Sequence, residues 1–461
     1  MEAGIWQSIR EALKGGRRDY TEGNLNRAIV LLAIPMVLET LMESLFAIVD
    51  IFFVSKLGKD AMATVALSES MVVLVIAVAL GLTFSTTAFV ARRIGEKKPE
   101  EASHGAAQSI LFGLVASVVI GSIGCFFAPE LLTLMGATPE ILNNIAFPRV
   151  LLGGIGTLIM IFLLNAIFRG AGDAAIAMRV LWFANAINIV LNPCLIFGLG
   201  PFPEMGIAGS AIGTTIGRGS GVLYQLWLLR SGAGQIHIRA EHLKPDLPLL
   251  KHILRPALNG MFQIFVGTAA WTALIRTAST FGVTVLAGYT VAIRVIMFSI
   301  MPAWGLANAA ATLVGQSLGA KKPERAEAAV WKAGHFNAVF LGSLSLVYML
   351  FAESIIRIFT QEAAVIEAGA TCLRFFSSCY ILYAYGMVLL QAFNGAGDTW
   401  TPTRINIVAS WLVQLPLAWF LSHTMGFGPQ GMYSAVPAGQ LVFVSLAVYF
   451  FRSGKWKQTK I

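Results

Sequence analysis

Between Met71 and Ala91 the chain reads VVLVIAVALGLTFSTTAFV, with no charged side chain, and runs of this kind recur to its end. About 20 consecutive apolar residues cross a bilayer as a helix. In lipid every backbone N–H and C=O must be bonded inside a helix or a closed barrel. No segment shows the roughly ten-residue alternation of a barrel strand, so the runs read as helices. They fall near 29–54, 61–91, 103–127, 143–168, 175–199, 206–229, 252–276, 284–314, 328–352, 367–394, 404–425 and 431–451. The fold class is therefore an all-α polytopic membrane protein with twelve transmembrane helices. Composition agrees: 56% of the 461 residues are hydrophobic, 12% are charged, and the mean hydropathy is +0.72. A soluble domain is about 25% charged.

The net charge of +9 sits in short loops and tails, which argues for membrane topology rather than nucleic-acid binding. Short cytoplasmic loops carry the excess of Lys and Arg. Arg10, Lys14, Arg17, Arg18 and Arg27 precede the first span, Arg92, Arg93, Lys97 and Lys98 follow the second, and Arg230, Arg239, Lys244 and Lys251 follow the sixth. Lys321, Lys322 and Arg325 follow the eighth, and Arg452, Lys455, Lys457 and Lys460 close the chain. The opposite loops hold little beyond Lys56, Lys59 and Arg357. Both termini are expected to be cytoplasmic, in a multi-pass protein of the plasma membrane. Cys125, Cys194, Cys372 and Cys379 show no metal or redox spacing and read as core residues. No cleavable signal is visible. Ile5, Trp6, Ile9 and Leu13 could line one face of an interfacial helix ended by Gly15 and Gly16, or belong to a loose tail.

The chain repeats itself. GEKKPEEA from Gly95 returns as GAKKPERA from Gly319, 224 positions later. Each copy reads as a helix–turn–helix joint: Gly95 and Gly319 suit a left-handed C-terminal position, and Pro99 and Pro323 suit the first turn of the next helix. Gly58 and Ala63 match Gly282 and Ala287 at the same offset, and FRGAGD ending at Asp173 matches FNGAGD ending at Asp398. The matched loops follow spans two and eight, so both halves cross in the same direction. This predicts two six-helix bundles related by a parallel pseudo-two-fold repeat, an arrangement that commonly encloses a cavity with alternating access. The expected segments are 1–28, a cytoplasmic N-terminal segment; 29–231, a first lobe of spans one to six; 232–246, a cytoplasmic linker; 247–451, a second lobe of spans seven to twelve; and 452–461, a cytoplasmic tail. In the GAGD pair, glycine allows the turn and Asp173 or Asp398 is expected to cap the next helix. A lone GxG is weak evidence for a nucleotide.

Glu39, Glu43 and Asp50 lie on the first span at spacings of four and seven, within about 40° of one another around the helix. A lipid-facing carboxylate at a helix centre costs on the order of 2.5–3.5 kcal/mol, so this acidic stripe must line a wet or protein-lined cavity. It is either an ion-coupling site or a packing stripe paired with an intramembrane Arg such as Arg218 or Arg294. Arg276 lies nearer a span end and can reach the interface. Asn185, Asn188 and Asn192 share a face of the fifth span, as cation-ligating oxygens or as interhelical glue.

With LGKDAMATVALS after the first span, VGQSLGAKKPERAEAA after the eighth, and RGAGD and NGAGD after the fourth and tenth, the chain resembles the MATE family of multidrug and toxic compound extrusion transporters, from about residue 25 to 451. It is most similar to the prokaryotic DinF-like branch. The resemblance implies a secondary active antiporter, not an enzyme. It would export amphiphilic, usually cationic compounds in exchange for H+ or Na+, by alternating access between two lobes and with no cofactor. Carried over residue by residue, Asp50 stands where the family's first-span coupling acid stands, and Asn165, Asn188 and Thr214 match polar positions of the same lobe. Asn192 departs from the pattern, since related members commonly have Asp there. Glu43 could supply the missing charge, and a sodium site would use Asp50, Asn188 and Asn192. The seventh and tenth spans hold no carboxylate, which places coupling in the first half; Gln263, Trp271 and Gln391, with Tyr383 and Tyr385, either contact substrate or pack. The expected partners are small organic molecules and membrane lipids, no nucleic acid, and the expected state is a monomer. Two other classes compete. A flippase for lipids or lipid-linked precursors would need deep cations to hold phosphate, for which only Arg218, Arg294 and Arg374 are available. An intramembrane enzyme would need a paired-His, Ser-Lys or Asp-Asp spacing that no span carries.

Overall fold

A computed structural model of the protein describes residues 5–459 and 461. The described residues form helices and connecting turns, with no strand among them. The first six spans are Leu25–Ser55, Lys59–Gly95, Pro99–Phe126, Ala146–Gly170, Ala174–Phe197 and Gly206–Ser231. The second six are Leu247–Ser279, Val283–Gly319, Pro323–Arg357, a bent pair Ala363–Ser378 and Tyr380–Ala396, Trp400–Thr424 and Gly428–Arg452. Eleven are long and apolar enough to cross a membrane when the pair bent by 55° is counted as one span. The twelfth is the sixth span, 26 residues long, whose glycines and Arg218 dilute its apolarity. Where helices meet the two charged joints they overrun the expected apolar runs by four or five residues: the second extends to Gly95 and the third begins at Pro99, while the eighth extends to Gly319 and the ninth begins at Pro323.

The two joints are built alike, and the glycine at each is not the left-handed residue. Lys97 (φ 60°) and Lys321 (φ 57°) take that conformation. The bonds Lys97 N–H to Ile94 C=O (3.0 Å) and Lys98 N–H to Arg93 C=O (2.9 Å) are repeated as Lys321 to Leu318 (3.1 Å) and Lys322 to Ser317 (2.9 Å). This is the pattern of a Schellman cap. Gly95 and Gly319 are instead places of backbone contact. A Cβ on Gly95 would stand 2.0 Å from the carbonyl oxygen of Gln316, and one on Gly319 would stand 2.1 Å from that of Arg92. The two contacts are images of each other under the 224-residue offset. Further into the bundle, Gly81 lies against the backbone of Ala257 and Met261 in the seventh span, and Gly305 against Met36 and Val37 in the first. Lipid supplies no hydrophobic drive between spans, so close backbone approach through small residues is what joins the halves. In the GAGD pair, Gly172 (φ 86°) and Gly397 (φ 85°) do occupy the left-handed position. Asp398 caps by accepting from Thr401 N–H at 3.1 Å. Asp173 makes no such cap. Its carboxylate lies beside Gly15 in the N-terminal segment, and burial pushes its carboxyl above the usual range.

The halves therefore meet along spans one, two, seven and eight. Hydrogen bonds between them lie toward the end that carries both joints and the described termini, called here the basic end. Ser85 Oγ donates to Ile253 C=O (2.6 Å), Thr312 Oγ1 to Arg169 C=O (3.1 Å) and Gln316 Nε2 to Gly170 C=O (3.0 Å). Two terminal straps cross the same seam. After the helix Ile5–Lys14, which ends at Gly15 (φ 64°) as the interfacial-helix reading expects, Arg17 donates to the carbonyls of Gly232 (3.0 Å) and Gly234 (2.7 Å). The strap then reaches the other half, where Arg325 donates to the carbonyls of Tyr20, Glu22 and Gly23 at 2.9–3.0 Å. The chain's end does the converse. Trp456 packs under Phe451, Lys457 pairs with Glu327 (2.6 Å), and Arg92 of the first half donates to Thr459 C=O (2.6 Å). Lys460 lies outside the described residues.

The connection between halves is docked. Gln108 of the third span donates to the carbonyls of His242 (2.9 Å) and Lys244 (2.8 Å), and its own oxygen accepts Asp246 N–H (3.0 Å).

Candidate functional site

A ladder of glycines builds the site. Gly209, Gly213, Gly217 and Gly221 recur every fourth residue of the sixth span and face the fifth. Cβ atoms on Gly209 and Gly217 would stand 2.5 and 2.8 Å from the carbonyl oxygens of Leu195 and Ala184, and one on Gly213 would stand 2.3 Å from Asn192 Oδ1. Spans five and six thus pack backbone to backbone. That brings Thr214, next to the second rung, up to Asn188 and Asn192. The spacing was legible in the sequence as a small-xxx-small run and is missing from the sequence reading above.

Asp50 of the first span closes this corner. Its Oδ1 accepts a hydrogen bond from Asn192 Nδ2, and its Oδ2 accepts from Thr214 Oγ1 at 3.2 Å. With its amide nitrogen turned toward the acid, Asn188 also donates to Asp50 Oδ1 (3.3 Å) while its oxygen accepts from Thr214 N–H (3.3 Å). Asn188 and Asn192 are fully buried. Asn185, on the same face of the fifth span, is spent elsewhere: it donates to Met42 C=O at 3.1 Å and ties spans five and one together.

The acidic stripe divides. Eleven residues of helix separate Glu39 from Asp50, about 16 Å along the axis, and each acid has its own partners. Glu39, only 4% exposed, accepts from Asn165 Nδ2 (2.8 Å) and pairs with Arg169 Nη1 (3.5 Å). Asn165 in turn accepts from Gln225 Nε2 (2.6 Å). So Asn165 belongs with Glu39 and not with the Asp50 corner. Arg169 and Gln225 escaped the sequence reading because one stands inside the RGAGD loop motif and the other near a helix end. Glu43 lies between the two clusters with no side-chain bond among the described residues. Of the arginines offered as partners for the stripe, Arg218 does approach it, with its guanidinium carbon 4.8 Å from the Phe46 ring centre. Arg294 is exposed on the other half.

In the second half, Gln391 donates to Asn308 Oδ1 and accepts from Asn394 Nδ2 (2.7 Å). With Arg169, Thr83, Thr87 and Thr312 these amides line a small cavity between the halves. Trp271 packs edge-on against Phe376 (6.3 Å between ring centres), and Gln263 is buried with its oxygen unpartnered. Among the described residues no cluster of three or more His, Cys, Asp or Glu could hold a metal ion.

The joints repeat across the two halves, and so does the family signature: the MatE family model matches twice, over residues 35–194 and 261–420. The chain belongs to the MATE family. Among its relatives, a probable multidrug resistance protein NorM of Thermotoga maritima is 26% identical over 444 residues, spanning 95% of this chain and 94% of the relative. A probable multidrug resistance protein YoeA of Bacillus subtilis is 26% identical over 441 residues, 94% of this chain and 95% of that one. A solved structure described as the outward-facing conformation of a multidrug resistance MATE transporter superposes with a TM-score of 0.88 at 28% identity, covering 95% of this chain and 98% of the other. As a MATE protein the chain is a multi-pass membrane transporter, not an enzyme, with the twelve-helix fold expected from its sequence.

Proposed function

We propose that this MATE protein is a secondary active antiporter that exports amphiphilic, mainly cationic compounds in exchange for H+ or Na+. Lobes 29–231 and 247–451 rock about their seam, with 1–28, 232–246 and 452–461 on the cytoplasmic side as straps and linker. The basic end is then cytoplasmic by the positive-inside rule. The sealed seam at that end corresponds to a state closed to the cytoplasm, in keeping with the outward-facing relative. The protein acts as a monomer in the plasma membrane.

The observation that carries the reading is Asp50, a carboxylate inside a span held by two buried amides and a hydroxyl and making no ion pair within 4.0 Å among the described residues. Such a group inside a membrane marks an ion or substrate pathway. Asp50, Asn188, Asn192 and Thr214 form the coupling corner, and Glu39, Asn165 and Arg169 form a second polar station toward the basic end, with Glu43 between them. Gln391 with Asn308, and less directly Gln263 and Trp271, face the substrate path in the second lobe. The flippase reading loses support from the placement of two of the deep cations: Arg374 sits at a rim paired with Glu353 at 3.1 Å, and Arg218 rests over Phe46 beside the acidic stripe.

The test is export of a fluorescent organic cation by proteoliposomes under ΔpH and under a sodium gradient applied separately. Asp50→Asn should insert and fold as the parent does and lose gradient-driven export. A well-folded variant with full active export would overturn the assignment. Failure of the parent to move a cation that lacks any lipid headgroup, with transport of a lipid probe intact, would favour the flippase.

A further inference from the structure

We propose that Arg218 is the resident counter-cation of the Asp50 corner, its guanidinium taking the electrostatic place that a bound sodium ion would otherwise fill. The inference rests on the reading of Asp50 as the coupling acid.

Arg218 stands one helical turn beyond Thr214 on the sixth span, so the two side chains share a face. Thr214 touches Asp50 at 3.2 Å. On the facing first span, Phe46 lies one turn before Asp50 and three residues after Glu43. The guanidinium rests over that ring at 4.8 Å, a cation–π contact, and is thereby held between the two acids. The carboxylates that act on its charge are Asp50 and Glu43 of the first span and Glu69 of the second. The fifth span contributes only the neutral Asn188 and Asn192, and Glu39 is already paired with Arg169. Among the described residues Arg218 makes no ion pair within 4.0 Å and no side-chain hydrogen bond to either acid. The aromatic perch therefore holds the charge near the acids without locking it onto them.

An arginine in the middle of a span is costly and is retained where it faces a cavity or a partner. Here the cation lies over Phe46, between Glu43 and Asp50 along the first span, and neither of those acids makes an ion pair among the described residues. A hard cation needs several oxygen ligands, whereas Asn192 and Thr214 both present donors to Asp50. With a fixed positive charge nearby and donors already on the carboxylate, the corner neither needs nor favours an alkali cation. Removing the guanidinium should reverse that preference.

The experiment is a sodium titration of the full chain in lipid nanodiscs at constant ionic strength, with N-methylglucamine replacing sodium, read by thermal midpoint and by calorimetry. The parent should show no saturable sodium-specific signal. Arg218→Gln should gain one, with apparent affinity raised on the order of tenfold or more, the size expected for removing one like charge within several ångströms of a part-buried site. Arg218→Lys should stay silent. Phe46→Leu, which removes the perch but keeps the charge, should gain sodium binding in part, and it decides the matter if Arg218→Gln does not fold. The double variant Arg218→Gln/Asp50→Asn should lose the gain. Saturable sodium binding by the parent, or a folded Arg218→Gln and Phe46→Leu that remain silent, would overturn the proposal. A gain that persists without Asp50 would overturn the placement at this corner. Because the readout is binding, these outcomes stand apart from loss of export in Asp50→Asn.

Discussion

Alanine at Gly95 and Gly319 is expected to open the basic end. In the observed state a Cβ on Gly95 would lie 2.0 Å from the Gln316 carbonyl oxygen, and on Gly319 2.1 Å from that of Arg92. Both obstacles are helical backbone, which cannot rotate away as a side-chain tip can, so relief requires spans two and eight to part. Overpacking of this kind costs about 1–3 kcal/mol. Because the contact joins the two lobes, the cost falls on the sealed state and not on one in which the lobes have separated. One substitution should then raise the ratio of open to sealed molecules by about 5- to 150-fold, and the pair of substitutions by more. Spin labels on Glu100→Cys and Glu324→Cys, exposed and matched under the repeat, would report the change as growth of a longer distance in double electron–electron resonance. Gly267→Ala is the control, since a Cβ there meets nothing within 4 Å. If the double variant folds and its distance distribution equals the parent's, the glycine contacts do not hold the seam and the reasoning fails.

The straps should contribute to the same closure: Arg325→Ala removes the donor to three strap carbonyls, so amides of residues 15–24 should exchange faster and the longer label distance should grow, while unchanged exchange would clear the strap of any role. Glu39→Gln and Glu43→Gln should each shift the pH dependence of transport, because both remove a titrating group from the stripe; parental profiles in both variants would make the stripe structural. At the start of the seventh span, the Leu249 backbone N–H and then the His104 ring hold the Asp246 carboxyl below its usual range. A carboxyl lowered on folding adds stability above its unfolded value, about 3.9, and that stability is lost as pH falls through the folded value. Asp246→Asn, a cap without a titrating charge, should therefore flatten the acid limb of the thermal-midpoint profile, and identical acid limbs would refute this.

Twelve helices, their order and the twofold repeat were legible in the sequence because each rests on local or periodic chemistry. The lengths of apolar runs follow from the thickness of a bilayer, and a repeat shows itself as identity at a fixed offset. The acidic stripe was equally plain, since spacings of four and seven place side chains on one face of any helix. What one helix cannot specify is which neighbour covers that face. The tertiary structure decided that Asp50 meets Asn192 and Thr214, that Glu39 goes to Asn165 and Arg169, and that Asn185 is spent on a backbone carbonyl. It also changed the meaning of Gly95 and Gly319. A glycine near a helix end reads as a left-handed turn residue, because that is the local reason to use one. Here Lys97 and Lys321 take the turn, and the glycines are needed for the backbones of Gln316 and Arg92 in the opposite lobe, contacts that exist only once the two lobes have come together.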